Sequence, residues 1–163
     1  MTGAGYRNQK ILLVEDDLHV RTCFEALLEF DGHRVHAVES GDDALARLEF
    51  EKFDLVITDY WMPRMKGDEL AMLIKQRWPN LPIILASGSL ADVSTFHSSI
   101  PGVDCLLNKP FTVTELREAI VWTLDLHADS RLGAPEILST ISGRPEEPDI
   151  SRPQPDDPAN PNN

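Results

Sequence analysis

The stretch DLVITDYWMP, Asp54 to Pro63, is an apolar run that stops abruptly at an acid, Asp59, and continues into an indole and a Met-Pro turn. Leu55 to Ile57 are apolar without alternation, the pattern of a strand covered on both faces. Past the turn, from about 67 to 78, the apolar positions take up helical spacing. A buried strand handing over to a helix is one βα unit, and the unit recurs along the chain.

The apolar runs are ILLV (11–14), RVHAV (34–38), DLVIT (54–58), PIILAS (82–87) and VDCLLN (103–108). Helix-like stretches lie at about 18–30, 42–50, 67–78, 90–99 and 113–127, the first with Val20, Phe24, Leu27 and Leu28 at three- and four-residue spacing. Asp31-Gly32, Ser40-Gly41, Pro79-Asn80 and Pro101-Gly102 punctuate them. Five such units predict an α/β fold, a doubly wound, flavodoxin-like (βα)5 domain with a five-stranded parallel sheet and helices on both faces. The favoured strand order is 2-1-3-4-5, with the ligand site outside the carboxyl ends of the strands, where the winding reverses between strands 1 and 3.

A chain of 163 residues that is 42% apolar has room for one domain with a core. Residues 1–8 read as a flexible N-terminus, 9–127 as the domain and 128–163 as a disordered, Pro-rich acidic tail. That tail holds seven of the twelve prolines and seven acids against three bases, too little apolar surface to offset its ordering entropy. A formal charge of −12 repels phosphates at long range, which argues against direct nucleic-acid binding or attraction to an anionic membrane. Any phosphate chemistry must then be local and metal-assisted. No run approaches the ~20 apolar residues of a membrane span, and MTGAGYRNQK lacks the apolar core of a signal peptide, so no membrane insertion and a cytoplasmic location are expected. Cys23 and Cys105 are too few for a disulfide framework and read as buried thiols.

The predicted order brings the strand ends to one rim. Strand 1 ends in Glu15, Asp16 and Asp17, strand 3 in Asp59, strand 4 in Ser87-Gly88-Ser89 and strand 5 in Lys109-Pro110. Clustered acids repel one another, and a divalent cation or a neighbouring lysine relieves the repulsion. A few hard oxygen ligands with room for water suit Mg²⁺ better than a full Ca²⁺ cage. Asp17 reads as the N-cap of the following helix, Met62, Met65 and Trp61 as packing residues, and the five histidines show no ligand spacing.

In VEDD (14–17), DGHRVHAVESGDDAL (31–45), DLVITDYWMPRMKGDEL (54–70), ILASGS (84–89) and LLNKPF (106–111), the chain resembles a response-regulator receiver domain of bacterial two-component signalling. The resemblance covers roughly residues 9–127 and is that of a stand-alone, chemotaxis-regulator-like receiver. Members of this family illustrate the 2-1-3-4-5 order, so the resemblance and the order count as one indication. It implies that Asp59 is the phospho-acceptor, taking a phosphoryl group from a sensor histidine kinase or exchanging it with a histidine phosphotransfer protein. This is nucleophilic carboxylate chemistry, with a transition state that needs positioning and charge neutralisation. Mg²⁺ would be held by Asp16, Asp59 and the Trp61 backbone carbonyl, and by Glu15 through water. Lys109 and the Ser87 hydroxyl would meet phosphoryl oxygens, and Gly88, without a side chain, would let its backbone N–H approach. The Lys109-Pro110 bond is expected to be cis, aiming Lys109 inward.

The resemblance also implies a signalling switch rather than an enzyme, apart from Mg²⁺-dependent self-phosphorylation and autodephosphorylation. Its output would be contacts with a downstream protein target, and homodimerisation, common in such domains, is left open. Two positions depart from the family. Leu106 stands three before the lysine, where an aromatic switch residue is common, so signalling through the face of helix 90–99, strand 5 and helix 113 onward would rest on backbone and Ser87 movement. Trp61, two past the acceptor, either overlooks the phosphoryl group or points to solvent or a partner. The competing readings are a non-phosphorylated interaction module and a metal-dependent phosphatase; for the latter, Trp61 stands where a general acid is usual.

Overall fold

The computed structural model describes residues 8–88 and 100–131, with side chains to residue 128. The helix expected at 90–99 and the tail beyond 131 lie outside the described residues. Within them the chain runs β1 (Lys10–Val14), α1 (Leu18–Phe30), β2 (Arg34–Val38), α2 (Gly41–Phe50), β3 (Leu55–Asp59), α3 (Gly67–Arg77), β4 (Ile83–Ser87), β5 (Cys105–Asn108) and α4 (Val113–Arg131). The strands form one parallel sheet in the order β2-β1-β3-β4-β5, as the strand pattern predicts.

Strand alternation sends neighbouring residues to opposite faces, and both faces are covered. Ile11 and Leu13 of β1 pack with Phe24 and Leu28 of α1 and Leu116, Ile120 and Leu124 of α4. Leu12 and Val14 pack with Ala44 and Leu48 of α2 and Leu70 and Ile74 of α3. Because β1 is buried on both sides, Ile11 to Val14 are at most 1% exposed, which explains a run with no polar alternation.

Helix starts follow local chemistry. Asp17 caps α1, its carboxylate accepting from the His19 and Val20 amides at 2.8 and 3.0 Å. Thr112 and Glu115 cap α4 reciprocally: Thr112 N–H donates to Glu115 Oε2 at 2.7 Å and Glu115 N–H to Thr112 Oγ1 at 3.2 Å. The composition break at 128 falls inside α4, which has no glycine or proline to stop it before Gly133. Cys23 corrects the expectation of buried thiols, for it is exposed and Cys105 is half-buried. Cys23 lies one position off the Phe24–Leu28 stripe, so it turns outward, while Cys105 lies on an edge strand. No helix among the described residues is long and apolar enough to cross a membrane.

At the end of the sheet remote from the rim, Lys75 of α3 reaches Asp104 Oδ2 at 2.8 Å and the Leu81 carbonyl at 2.8 Å. The same carboxylate accepts from Ile83 N–H at 2.8 Å, and His127 Nε2 lies 3.0 Å from Asp104 Oδ1. One side chain thus joins α3, β4, β5 and α4. Burial opposes the Asp104 charge, but Lys75, His127 and the Ile83 amide outweigh it and hold the carboxyl below the usual range. Its stabilisation is therefore complete above the ordinary Asp value and is lost as pH falls through the lowered one. Asp104→Ala leaves a half-buried ammonium unpaired and is expected to cost about 3 kcal/mol at neutral pH. Urea titrations of both chains should also show the difference shrinking across that acid window.

Candidate functional site

Strand register builds the rim. Val14 lies opposite Thr58, Asp59 opposite Ala86 and Ser87 opposite Asn108, so the residues just past β1 and β5 meet the last residues of β3 and β4. Glu15, Asp59 and Ser87 are only 4%, 9% and 2% exposed. Glu15, Asp16 and Asp59 each bring a carboxylate oxygen to within 4.8 Å of the others. Lys109 enters from the opposite side: its Nζ is 2.6 Å from Asp59 Oδ1 and 2.7 Å from Glu15 Oε2. Its backbone N–H donates to the Ser87 carbonyl at 2.7 Å, and the Lys109-Pro110 peptide is cis.

Three carboxylates against one ammonium leave two formal negative charges uncompensated within the cluster. Burial acts against the charges of Lys109 and Glu15, with different outcomes. For Lys109 it works downward, but hydrogen bonds to Asp59 and Glu15 outweigh it, so the ammonium's pKa is raised. For Glu15 burial raises the pKa and Asp59 adds to it; the single contact with Lys109 does not offset them. The cluster holds its lysine firmly charged and is strained by surplus negative charge, a donor set of hard oxygens suited to a divalent cation.

Backbone contacts fix the acids. Arg21 of α1 donates to the Glu15 carbonyl at 2.6 Å and the Asp16 carbonyl at 3.2 Å. Behind Asp59 the start of α3 presses close: a Cβ at Gly67 would lie 2.2 Å from the Asp59 carbonyl oxygen and 2.5 Å from Leu85 Cδ1. A Cβ at Gly88 would meet none of the described atoms within 4 Å. Leu106 is 40% exposed on edge strand β5. Met62 is buried and Met65 packs against the same core, as their packing role requires. Trp61 differs from a packing residue: it is 49% exposed, edge-on to Tyr60 with centroids 4.9 Å apart.

Glu15, Asp16, Asp59 and Lys109 are thus brought into one cluster, with Ser87 joined to it through the Lys109 backbone. Arg21 and Gly67, which press on its backbone, were not legible as its neighbours. Lys66 carries one readable signal, an N-cap position where a side-chain acceptor is usual.

The profile of the response regulator receiver domain family matches residues 11–121. The chain belongs to this family. The receiver is 39% identical over 124 residues to the response regulator protein FleR of Pseudomonas aeruginosa, covering 76% of this chain and 25% of FleR. It is 36% identical over 108 residues to the receiver protein CpdR of Brucella abortus, covering 66% of this chain and 90% of CpdR. A receiver domain protein from Clostridium thermocellum superposes with a TM-score of 0.68 at 28% identity, covering 74% of this chain and 97% of that one. The response regulator TrrA of Thermotoga maritima, solved with Mg²⁺ and BeF, gives 0.65 at 29% identity over 71% of this chain and 98% of its own. The receiver is thereby a module of two-component response regulators, a family that is not one of ordinary enzymes.

Proposed function

We propose that this receiver is a phosphorylation switch whose acceptor is Asp59. The observation that carries the reading is Lys109, whose ammonium bridges Asp59 and Glu15 at 2.6 and 2.7 Å. An Asp59 carboxylate oxygen attacks the phosphorus of a phosphohistidine, the P–N bond breaks, the imidazole leaves and an acyl phosphate forms. Lys109 neutralises charge on the transferring oxygens. The Ser87 hydroxyl and the Gly88 and Trp61 amides would supply further donors. Asp16, Asp59 and the Trp61 carbonyl would hold Mg²⁺, with Glu15 acting through water; when bound, the ion supplies the positive charge that the cluster lacks. Glu15 suits an indirect role, since Oε2 is engaged by Lys109 and Oε1 lies 3.4 Å from the Asp17 amide.

The phosphodonor is a cytoplasmic sensor histidine kinase or a histidine phosphotransfer protein, and the output is contact with a protein target. Similarity to the sensor histidine kinase AruS, 35% identical over 68% of this chain, supports a place in a relay. Coverage of 90% of CpdR supports an output that needs little beyond this domain. Incubation with a panel of labelled histidine kinases tests the reading. Rapid transfer from one or a few kinases, dependent on Mg²⁺, is expected; a chain labelled by none, with or without Mg²⁺, would refute it.

A further inference from the structure

Lys66 breaks a local rule. As the N-cap of α3 it has no side-chain acceptor for the first-turn amides, and its charge meets the positive end of the helix dipole. The reciprocal half of the cap exists alone, Lys66 N–H donating to Glu69 Oε2 at 3.1 Å. The ammonium lies instead 4.7 Å from the Trp61 ring centroid and 5.9 Å from that of Tyr60. The two rings meet at 86°, Tyr60 buried and Trp61 half-exposed. One side of the indole thus rests on a fixed ring while a cation holds its face.

The backbone closes the same loop. Gly67 N–H donates to the Tyr60 carbonyl at 2.9 Å, Met65 N–H donates to the Pro63 carbonyl at 2.8 Å, and Arg64 adopts a left-handed φ of 68° to turn the chain back. Residues 60–67 therefore form a closed loop that begins immediately after Asp59. Lys66 ties its far end to the side chains of its near end. A side chain that gives up good capping chemistry to make this tie marks a functional constraint.

We infer that Lys66 is a positioning residue for the acceptor loop, holding the Trp61 indole against Tyr60 so that it screens a phosphoryl group on Asp59 from water. The inference rests on the reading of Asp59 as acceptor. In the reaction screened, a water oxygen attacks phosphorus, the bond to the Asp59 oxygen breaks and inorganic phosphate leaves with the carboxylate restored. Loss of a cation–π contact at a half-exposed site corresponds to a change of about threefold in such a rate.

The test uses the full chain with Lys66→Met, which keeps the stem and removes the charge, and Lys66→Arg, which keeps the cation. In the unphosphorylated protein, the heteronuclear NOE of the Trp61 indole N–H, assigned with Trp61→Phe, reports whether the ring is held. After phosphorylation and removal of the donor, the decay of the acyl phosphate reports its screening. Lys66→Met should lower the NOE and shorten the lifetime about threefold, and Lys66→Arg should restore both. An indole equally ordered in Lys66→Met, a loosened indole with an unchanged lifetime, or no rescue by arginine overturns the inference. A wild-type chain that takes up no phosphoryl group overturns the acceptor reading and this inference with it. Normal uptake with an unaltered Lys66→Met overturns this inference alone.

Discussion

Replacing Lys109 with methionine is expected to slow phosphoryl uptake by about a hundredfold or more, the usual cost of removing a preorganised charge from a transferring group. The structure gives the change a specific signature. Lys109 is the cation that bridges Glu15 and Asp59, so its loss leaves three carboxylates without the ammonium that now neutralises them. Removing a positive charge from an acidic cluster does not weaken its attraction for a divalent cation. Mg²⁺ affinity, read by quenching of tryptophan fluorescence or by calorimetry, should therefore persist or rise while uptake from a small phosphodonor collapses. Parallel loss of metal binding and uptake would mean that Lys109 acts as a scaffold for the rim. Unchanged uptake would remove it from the chemistry.

Gly67→Ala is the second large effect, and it acts from behind the acceptor. The added Cβ would meet the Asp59 carbonyl oxygen at 2.2 Å, and a backbone atom inside a paired strand cannot swing aside. Either α3 or the end of β3 must shift, at an expected cost of about 3 kcal/mol, and movement at β3 displaces the Asp59 carboxylate from Lys109. Chemical denaturation and phosphoryl uptake should both decline. Gly41→Ala is the contrast: its nearest clash is Met65 Sδ at 2.6 Å, the far part of a flexible side chain. That variant should stay within about 1 kcal/mol of wild type and keep its uptake. Comparable damage at both glycines would mean that the α3 junction has no special relation to the site.

The strands were legible because their burial on both faces writes a continuous apolar run into the sequence, and the sheet order brought Glu15, Asp59, Ser87 and Lys109 to one rim. Asp17 was legible as a cap because capping is local. What escaped was chemistry decided by distant neighbours. Nothing near Asp104 in sequence announces that its carboxylate will gather Lys75, Ile83 and His127. The exposure of Cys23 was missed because one step around a helix separates a buried face from a wet one. For Trp61 the sequence left open whether it overlooks the phosphoryl group or points to solvent or a partner; its place depends on Tyr60 beside it and on the Lys66 cation, a tertiary contact that no local pattern specifies. The last helix, expected over 113–127, runs through Arg131, the last residue described there, because a change in composition is not by itself a change in structure.

In the proposed reaction Asp59 is the nucleophile. Intact-mass spectrometry after incubation with Mg²⁺ and a small phosphodonor, followed by borohydride trapping and peptide mapping, tests it without any partner protein. The wild-type chain should gain one phosphoryl group, mapped to Asp59, and Asp59→Ala should gain none while remaining folded. An Asp59→Ala chain that still takes up the group, or a wild-type label mapped to any other residue, would contradict the account.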